Sequence, residues 1–256
     1  MFSATIPFRC NGMRGKKPAY GLDAPGLVRG FLFGGPALFA VGYFSLQWAA
    51  PRNIGPLIGI SYSMFYCGIV LFCESLLLMG SSYYGKFRAR DWLLDSLHLR
   101  GDETVLDVGC GHGLLLIAAA KRVPRGRSIG IDLWSQVDQG NNSREATLQN
   151  ATLEGVAERV EVRDGDMRKL PYADASVDVV VANLAIHNIS SREGRREAIS
   201  EIVRVLKFGG QVALMDFKYV GQYCEDLRKN GMVDASPSGP IFWIFPPVRV
   251  ARGHKS

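Results

Sequence analysis

Residues Val105–Gly113 read VLDVGCGHG and combine an apolar strand, a carboxylate near its end and three glycines spaced two residues apart. An apolar stretch typical of a helix, Leu114–Lys121, follows directly. A glycine turn between a strand and a helix brings backbone N–H groups close to a ligand, and the helix N-terminus adds a favourable field. The segment therefore predicts a site for a nucleotide-like ligand.

Polar side chains also stand where three further predicted strands end. Asp132 belongs to RSIGIDL, Asp166 closes RVEVRDGD, and Asn183 and His187 follow VDVVV. A carboxylate offers acceptors on two oxygens and suits a pair of hydroxyls, whereas an imidazole titrates near neutrality and can move a proton. Because open α/β sheets bind ligands at the carboxyl ends of their strands, we expect these side chains to surround one site.

The glycine spacing distinguishes two classes of nucleotide site. A dinucleotide-binding turn reads G-x-G-x-x-G, and its third glycine would stand where this chain has Leu114. The spacing found here, G-x-G-x-G with Asp107 two residues earlier, resembles the first motif of class I S-adenosylmethionine-dependent methyltransferases. A hydride-transferring dehydrogenase is thereby disfavoured.

Further motifs of that family follow in its order. The stretch 129–134, IGIDLW, is similar to the second strand, whose acid binds the ribose, and DGDM at 164–167 is similar to the adenine-contacting loop. LKFGG at 206–210 is similar to the LKPGG turn, and Val177 replaces the usual aromatic residue of a Ser-Phe-Asp motif. The resemblance covers residues 88–217 and is nearest to the small-molecule branch, often called type 11, which includes enzymes that methylate quinones and other lipid-like substrates.

The resemblance implies a role for each residue of the predicted site. Asp107 would face the methionine end of the cofactor, Asp132 would accept hydrogen bonds from the ribose, and Asp166 would accept one from the adenine amino group. His187 is the candidate base for an acceptor that must lose a proton, although a lone histidine at a strand end is commonly a structural hydrogen-bonding group. The predicted catalytic residues are His187 and Asn183, and the predicted cofactor-binding residues are Asp107, Gly109, Gly111, Gly113, Asp132, Leu133, Asp166, Met167, Asn183 and Tyr84.

Two apolar runs precede these motifs, at residues 27–50 and 54–80. Each is long enough to cross a hydrocarbon core as a helix, and Pro51-Arg52-Asn53 between them allows only a tight hairpin. A pair of buried helices in a soluble protein is the alternative. The predicted organisation is a basic N-terminal segment (1–26), a transmembrane hairpin (27–80) and a methyltransferase domain (81–256).

Small and basic residues indicate how this hairpin packs and is oriented. Gly30-x-x-x-Gly34 and Gly55-x-x-x-Gly59 could let its two helices approach closely. Basic residues flank the hairpin on both outer sides, so the positive-inside bias places the catalytic domain in the cytoplasm, with an organelle transit role for the first 25 residues left open. Tyr84 lies where the hairpin meets the domain and could either cover the cofactor or anchor at the lipid headgroups.

From residue 88 onward, strands and helices alternate, which predicts an α/β fold with a doubly wound, mostly parallel sheet (Rossmann-like) after two transmembrane helices. The predicted strands begin at or near residues 103, 127, 159, 177 and 211, with a terminal strand in VRVARGHK. Predicted helices cover DWLLDSLHL, the stretch after the glycine turn and the segments near 143–154, 192–206 and 222–230.

Composition limits the function classes. The 256 residues carry a formal net charge of +6, but the basic residues cluster beside the apolar runs and no nucleic-acid-binding motif is present, so we expect no nucleic-acid partner. Five cysteines without a CxxC pair predict neither a disulfide framework nor a metal site. We expect S-adenosylmethionine-dependent methyl transfer to a small, hydrophobic or lipid-like acceptor. Methylation of a membrane-associated protein and a non-catalytic cofactor-binding sensor or scaffold are the alternatives, and the oligomeric state is open.

Overall fold

The computed structural model describes residues 17–135 and 142–256. Arg9, Arg14 and Lys16, which belong to the predicted basic N-terminal segment, lie outside this part of the chain. The helices of the described residues are α1 (Pro25–Ala49), α2 (Gly55–Gly80), α3 (Lys86–Asp95), α4 (Leu114–Arg122), α5 (Arg144–Leu153), α6 (Arg192–Val205) and α7 (Val220–Lys229). The strands are β1 (Thr104–Val108), β2 (Arg127–Asp132), β3 (Val160–Asp164), β4 (Val177–Asn183), β5 (Leu206–Asp216), β6 (Met232–Pro237) and β7 (Arg249–Lys255).

The strands form one sheet of seven in the order β3-β2-β1-β4-β5-β7-β6. The first five are parallel to their neighbours, whereas β7 runs antiparallel to both β5 and β6. This confirms the predicted α/β class with a mostly parallel sheet. Parallel strands are continuously apolar because helices cover both faces, as the buried side chains of β1 and β4 illustrate.

Alternation along β1 assigns its side chains to the two faces of the sheet. Val105 packs with residues of α3 and α4, whereas Leu106 packs with residues of α6 and α7. Asp107 comes next and shares the α4 face, where its carboxylate accepts a hydrogen bond from Leu116 N. The strand thus buries an acid beneath the helix that follows the glycine turn.

The two apolar runs form an antiparallel helix pair that packs through small residues seven positions apart. Val28, Gly35, Gly42 and Ala49 are the buried residues of α1, and Ser61, Gly68 and Ser75 are those of α2. A Cβ at Gly35 would lie 2.8 Å from Gly68 O, and one at Gly42 would lie 2.5 Å from Phe65 N, so the backbones are in contact there.

The G-x-x-x-G prediction for this contact is wrong. Gly30, Gly34, Gly55 and Gly59 have open space where a Cβ would stand. A contact that repeats every seven residues is the pattern of left-handed helix packing, whereas G-x-x-x-G belongs to right-handed crossings.

The α2 helix continues without a break into the domain. Residues 81–85 form a single wider π turn, and α3 then packs on α4 beside the sheet. Residues 17–24, which precede α1, also lie on the domain: Ala19 exchanges two hydrogen bonds of 2.9 Å with the Asn150 side chain of α5. The described end of the predicted 1–26 segment is therefore packed on the domain that was predicted to begin at residue 81.

Candidate functional site

The carboxyl ends of β1, β2 and β4 open into a cavity of about 570 Å³, here called the wide cavity. A narrow cavity of about 40 Å³ adjoins it, and Gly109, Asn183 and Leu184 line both. Ligand pockets commonly enclose several hundred Å³. The strand ends therefore surround one site, which has a wide and a narrow part.

The glycine turn forms the floor where the two cavities meet. Gly109 has φ of 75° and Gly113 has φ of 83°, backbone conformations that favour glycine. A Cβ on Gly109 would overlap Ala185, and one on Gly113 would lie 2.9 Å from Thr147 Cγ2 of α5. Gly109 and Gly111 line the wide cavity, whereas Gly113 lines neither and instead lets α4 pack on α5.

Asp132, at the end of β2, lines the wide cavity and is held by the backbone. Its Oδ2 accepts a hydrogen bond from Gly111 N at 2.8 Å, and its Oδ1 accepts one from Trp134 N at 2.7 Å. Oδ1 also accepts from Asn142 Nδ2 at 3.4 Å, so Oδ2 is the oxygen that keeps acceptor capacity for a ligand hydroxyl group. Leu133 is exposed beside it and lines the same cavity, whereas Trp134 packs on an apolar cluster and donates from Nε1 to Asp164.

Asp166 and Met167 also line the wide cavity, but Asp166 has a partner that the sequence did not reveal. Arg168 Nε lies 2.9 and 3.0 Å from the two carboxylate oxygens. These hydrogen bonds from the Arg168 guanidinium lower the pKa of Asp166, so it stays ionised. The Met167 methyl group lies against Gly109.

Asp107 is the buried acid of the narrow cavity. Its Oδ2 accepts a hydrogen bond from Leu116 N at 2.9 Å, while its Oδ1 is buried and finds no hydrogen-bond donor in the described part of the chain. Burial raises the pKa of Asp107 to about 8, and the negative charge of Asp132 adds to the rise. A ligand ammonium group would supply the missing donor, so this wall fits the amino-acid end of S-adenosylmethionine.

Asn183, the last residue of β4, lies at the junction of the two cavities. Its Oδ1 is buried and has no hydrogen-bond partner among the residues that the structure describes. A ligand that spans the two cavities would pass this side chain at the point where the cavities join. The structure thus brings the predicted residue Asn183 to the centre of the site.

His187 does not line either cavity. The turn at 186–188 directs it toward β5, where its ring lies against Phe217 and its Nδ1 is 2.9 Å from Asp216 Oδ1. The ring N–H is not aligned with that oxygen for a hydrogen bond, so the two groups are in close contact without one. This position argues against His187 as a base that touches the acceptor.

Tyr84 also lies away from the site, with 80% of its surface exposed on the turn that joins α2 to α3. The narrow cavity is instead lined by Tyr20, Asp23 and Lys86. Sequence reasoning missed these three residues because two precede the first apolar run and the third sits among other basic residues. The one signal was position, since Lys86 is two residues from the predicted Tyr84.

Comparisons with known proteins agree with this geometry. A family model described as a methyltransferase domain matches residues 106–214. A demethylmenaquinone methyltransferase from Lactobacillus johnsonii is 31% identical over 123 residues, which cover 47% of this chain and 46% of that protein. A ribosomal protein L11 methyltransferase from Pectobacterium carotovorum is 40% identical over 121 residues, 47% of this chain and 35% of that protein. The chain thus spans less than half the length of either relative.

Among solved structures, a SAM-dependent methyltransferase from Aquifex aeolicus has the same fold. It matches with a TM-score of 0.52 and 20% identity, over 65% of this chain and 89% of that one. The family match shows that residues 106–214 are similar to a methyltransferase domain, and the sheet order and the solved structure show that the chain has the fold of an S-adenosylmethionine-dependent methyltransferase.

Proposed function

We propose that this chain transfers a methyl group from S-adenosylmethionine to a small hydrophobic acceptor that partitions into a membrane. The catalytic domain stands on the cytoplasmic face, anchored by the α1–α2 hairpin. The acceptor class is our own inference, because the relatives named above methylate a quinone in one case and a protein in the other.

The observation that carries this proposal is that the hairpin and the cavities meet at one edge of the sheet. The turn after α2 is bound to the loop before β7, where Phe245 N donates to Ser81 Oγ at 3.0 Å. In the sheet, Arg249 at the start of β7 pairs with Asp216 at the carboxyl end of β5. The cavity edge therefore faces the end of α2 rather than the opposite side of the domain.

Four exposed aromatic residues lie near this edge and indicate how deep it sits in the bilayer. They are Tyr83, Tyr84, Phe242 and Trp243, here called the aromatic patch. The 26 residues of α2 extend about 39 Å at 1.5 Å each, which exceeds a hydrocarbon core of about 30 Å. The turn at 81–85 consequently lies at headgroup level, where tyrosine and tryptophan side chains are favoured. Arg88 adds a cation over the Trp243 ring, at 5.1 Å from its centroid.

The exposure of the two helices favours a membrane over a soluble core. Within their most apolar windows, only 17% of the first helix and 11% of the second is buried, whereas a core helix of a soluble protein is mostly buried. The two ends of the hairpin differ in their number of basic residues. The domain end has Lys17, Arg88 and Arg90, whereas the connecting turn has Arg52. The positive-inside bias then places the domain in the cytoplasm.

Bound S-adenosylmethionine would supply an electrophilic methyl group, and the protein chiefly has to align the acceptor with it and exclude water. Asp132 would hold the ribose, Asp166 with Met167 the adenine, and Asp107 the ammonium group. Asn183 lies between these contacts, and we assign it the positioning of the reacting groups. We assign His187 no contact with the ligand, because it lies beside Phe217 and Asp216.

The test supplies methyl-labelled cofactor to membranes that contain the full chain, and then separates lipid extract, protein and aqueous fractions. We expect the label in the lipid extract and no label above background with Asp132→Ala, which removes the ribose acceptor. Label in a membrane protein would instead support the second reading, methylation of a protein. Cofactor binding in calorimetry without label in any fraction would support a sensor or scaffold.

A further inference from the structure

The segment before the hairpin, residues 17–24, lies across the narrow cavity; we call it the N-terminal strap. Tyr20 and Asp23 of the strap line this cavity together with Lys86 and Asp107. We propose that the strap is part of the cofactor site and that packing of the hairpin holds it there, so that affinity for the amino-acid end of S-adenosylmethionine depends on the membrane helices. This inference rests on the proposed cofactor.

The strap is fixed from the side of α3 by a buried lysine. Lys86 Nζ donates to Tyr20 O at 3.0 Å and to Gly21 O at 2.6 Å, and lies 3.5 Å from Asp23 Oδ1. Burial lowers the pKa of Lys86, and the charge of Asp23 opposes that shift. Ser82, one turn earlier, donates to Asp23 Oδ2 and accepts from Asp23 N, both at 3.0 Å.

The strap is also tied to the glycine turn through α5. Asn150 is buried, and its Nδ2 donates to Ala19 O at 2.9 Å and to His112 O at 3.0 Å. Tyr20 donates from its hydroxyl to Glu154 at 3.0 Å. One asparagine thus joins the strap to the turn that carries Gly111 and Gly113, which gives the strap a second attachment beside the narrow cavity.

The chemistry of the narrow cavity matches a zwitterionic group. Asp107 offers an unpartnered carboxylate oxygen, and Lys86 adds a positive charge to the same lining, with its three N–H groups directed at Tyr20 O, Gly21 O and Asp23 Oδ1. A volume of about 40 Å³ has room for roughly three water molecules, comparable to a small charged head group. In an amino-acid group such as the end of S-adenosylmethionine, the α-amino group would satisfy Asp107 and the α-carboxylate would lie near the charge of Lys86.

The hairpin sets the position of the strap because the chain has no spacer at either junction. Strap residue Ala24 is the N-cap of α1, and α2 runs through the 81–85 turn into the helix that carries Lys86. The contacts through Gly35, Gly42 and Gly68 therefore fix the start of α1 relative to Lys86. Separating the two helices would pull the strap away from its lysine.

The test measures ligand affinity by calorimetry on the full chain in lipid nanodiscs, with two ligands. S-adenosylmethionine carries the amino-acid end, and 5′-methylthioadenosine lacks it. We expect Lys86→Met to raise the Kd for S-adenosylmethionine about tenfold or more, equivalent to about 1.4 kcal/mol, because it removes both the positive charge and the hydrogen bonds that hold the strap. The Kd for methylthioadenosine should stay within about twofold, a range that corresponds to roughly 0.4 kcal/mol.

A matched pair in α1 tests the coupling to the hairpin. Gly35→Leu would clash with α2, whereas Gly34→Leu has open space. We expect the first to weaken S-adenosylmethionine binding about threefold or more, equivalent to roughly 0.7 kcal/mol, and the second to leave it unchanged. Equal losses for both ligands, or unchanged S-adenosylmethionine binding in Lys86→Met and Gly35→Leu, would overturn the inference. A wild-type chain that binds neither ligand would instead refute the proposed function.

Discussion

At the scale of single residues, three carboxylates of one site differ because their surroundings differ. Asp166 is paired with Arg168, Asp132 is held by backbone N–H groups, and Asp107 is buried with one oxygen unpartnered. A buried, poorly satisfied acid costs folding free energy, and such groups occur where a ligand is to be bound. Of these three acids, Asp107 is therefore the one that is most costly to ionise in the free protein.

This strain predicts a pH dependence of stability. The pKa of Asp107 rises from 3.8 to about 8 on folding, so between these values the native state keeps a proton that the unfolded state releases. Stability from this group therefore falls as pH rises from about 4 to 8, by up to about 1.4 kcal/mol per pH unit. Asp107→Asn cannot ionise and escapes this loss.

Thermal unfolding of both proteins across pH 5–9 measures the effect. We expect the melting temperature of Asp107→Asn minus that of the wild type to grow up to about pH 8 and then level off. A difference that does not change with pH would contradict the buried, proton-retaining state. The same variant should bind S-adenosylmethionine more weakly, because it replaces the carboxylate that faces the ammonium group.

The sequence predicts which strand ends carry the site, but not in every case which side chains reach it. Asp132, Asp166 and Asn183 reach the wide cavity because each stands at or just beyond the end of a parallel strand. His187 lies four residues past β4, where a short turn redirects it toward Asp216. Side-chain direction in such turns depends on tertiary contacts that no local pattern reveals.

At the scale of elements, the geometry of the glycine turn leaves no room for a side chain at Gly109. Gly109→Ala would place a methyl group onto Ala185, whereas Gly155→Ala has the same sign of φ, at 71°, and open space around it. Both variants pay for a left-handed backbone, by about 1 kcal/mol. We expect Gly109→Ala to lower stability by about 2 kcal/mol more than Gly155→Ala, through overpacking.

Chemical unfolding monitored by circular dichroism, with S-adenosylmethionine calorimetry alongside, compares the two variants. Gly155→Ala should bind the cofactor as the wild type does, and Gly109→Ala should not. If the two variants lose equal stability and keep equal affinity, the close approach of Ala185 to the turn is not what requires glycine there.

Elements with strong apolar patterns were predictable, and those that depend on neighbours were not. The strands β1 to β4 and the helices α4 to α7 follow continuous apolar runs or clear helical periodicity. The sequence of β6, MVDASP, has neither, and it becomes a strand because β7 offers an edge with which to pair. The start of β5 was likewise placed too late, since LKFGG reads as a turn but extends the strand.

At the scale of the whole molecule, the hairpin and the cavity edge form one face that we place at the lipid surface. The aromatic patch should then matter for acceptor access and not for cofactor binding. Phe242 is 75% exposed at this face. Phe208 is 77% exposed and lies near the start of β5, whereas the cavity edge is at the carboxyl end of that strand. The two residues form a matched pair for testing the assigned face.

Replacing each phenylalanine by aspartate introduces a negative charge at two positions whose side chains are almost equally exposed. We expect Phe242→Asp to lower the initial rate of label transfer to lipid extract severalfold, because a charge at headgroup depth costs on the order of 1 kcal/mol or more. Phe208→Asp should leave the rate unchanged. Equal rates for the two variants would show that the aromatic patch does not contribute to acceptor access.

The most direct test of methyl transfer at the membrane compares where the acceptor is placed. Vesicles holding the full chain receive labelled S-adenosylmethionine, and the membrane lipid extract that provides the acceptor is built either into the same vesicles or into separate ones. We expect the initial rate of lipid labelling to be many times higher when protein and extract share a bilayer. Equal initial rates, or label that accumulates on a water-soluble acceptor, would contradict methyl transfer at the membrane.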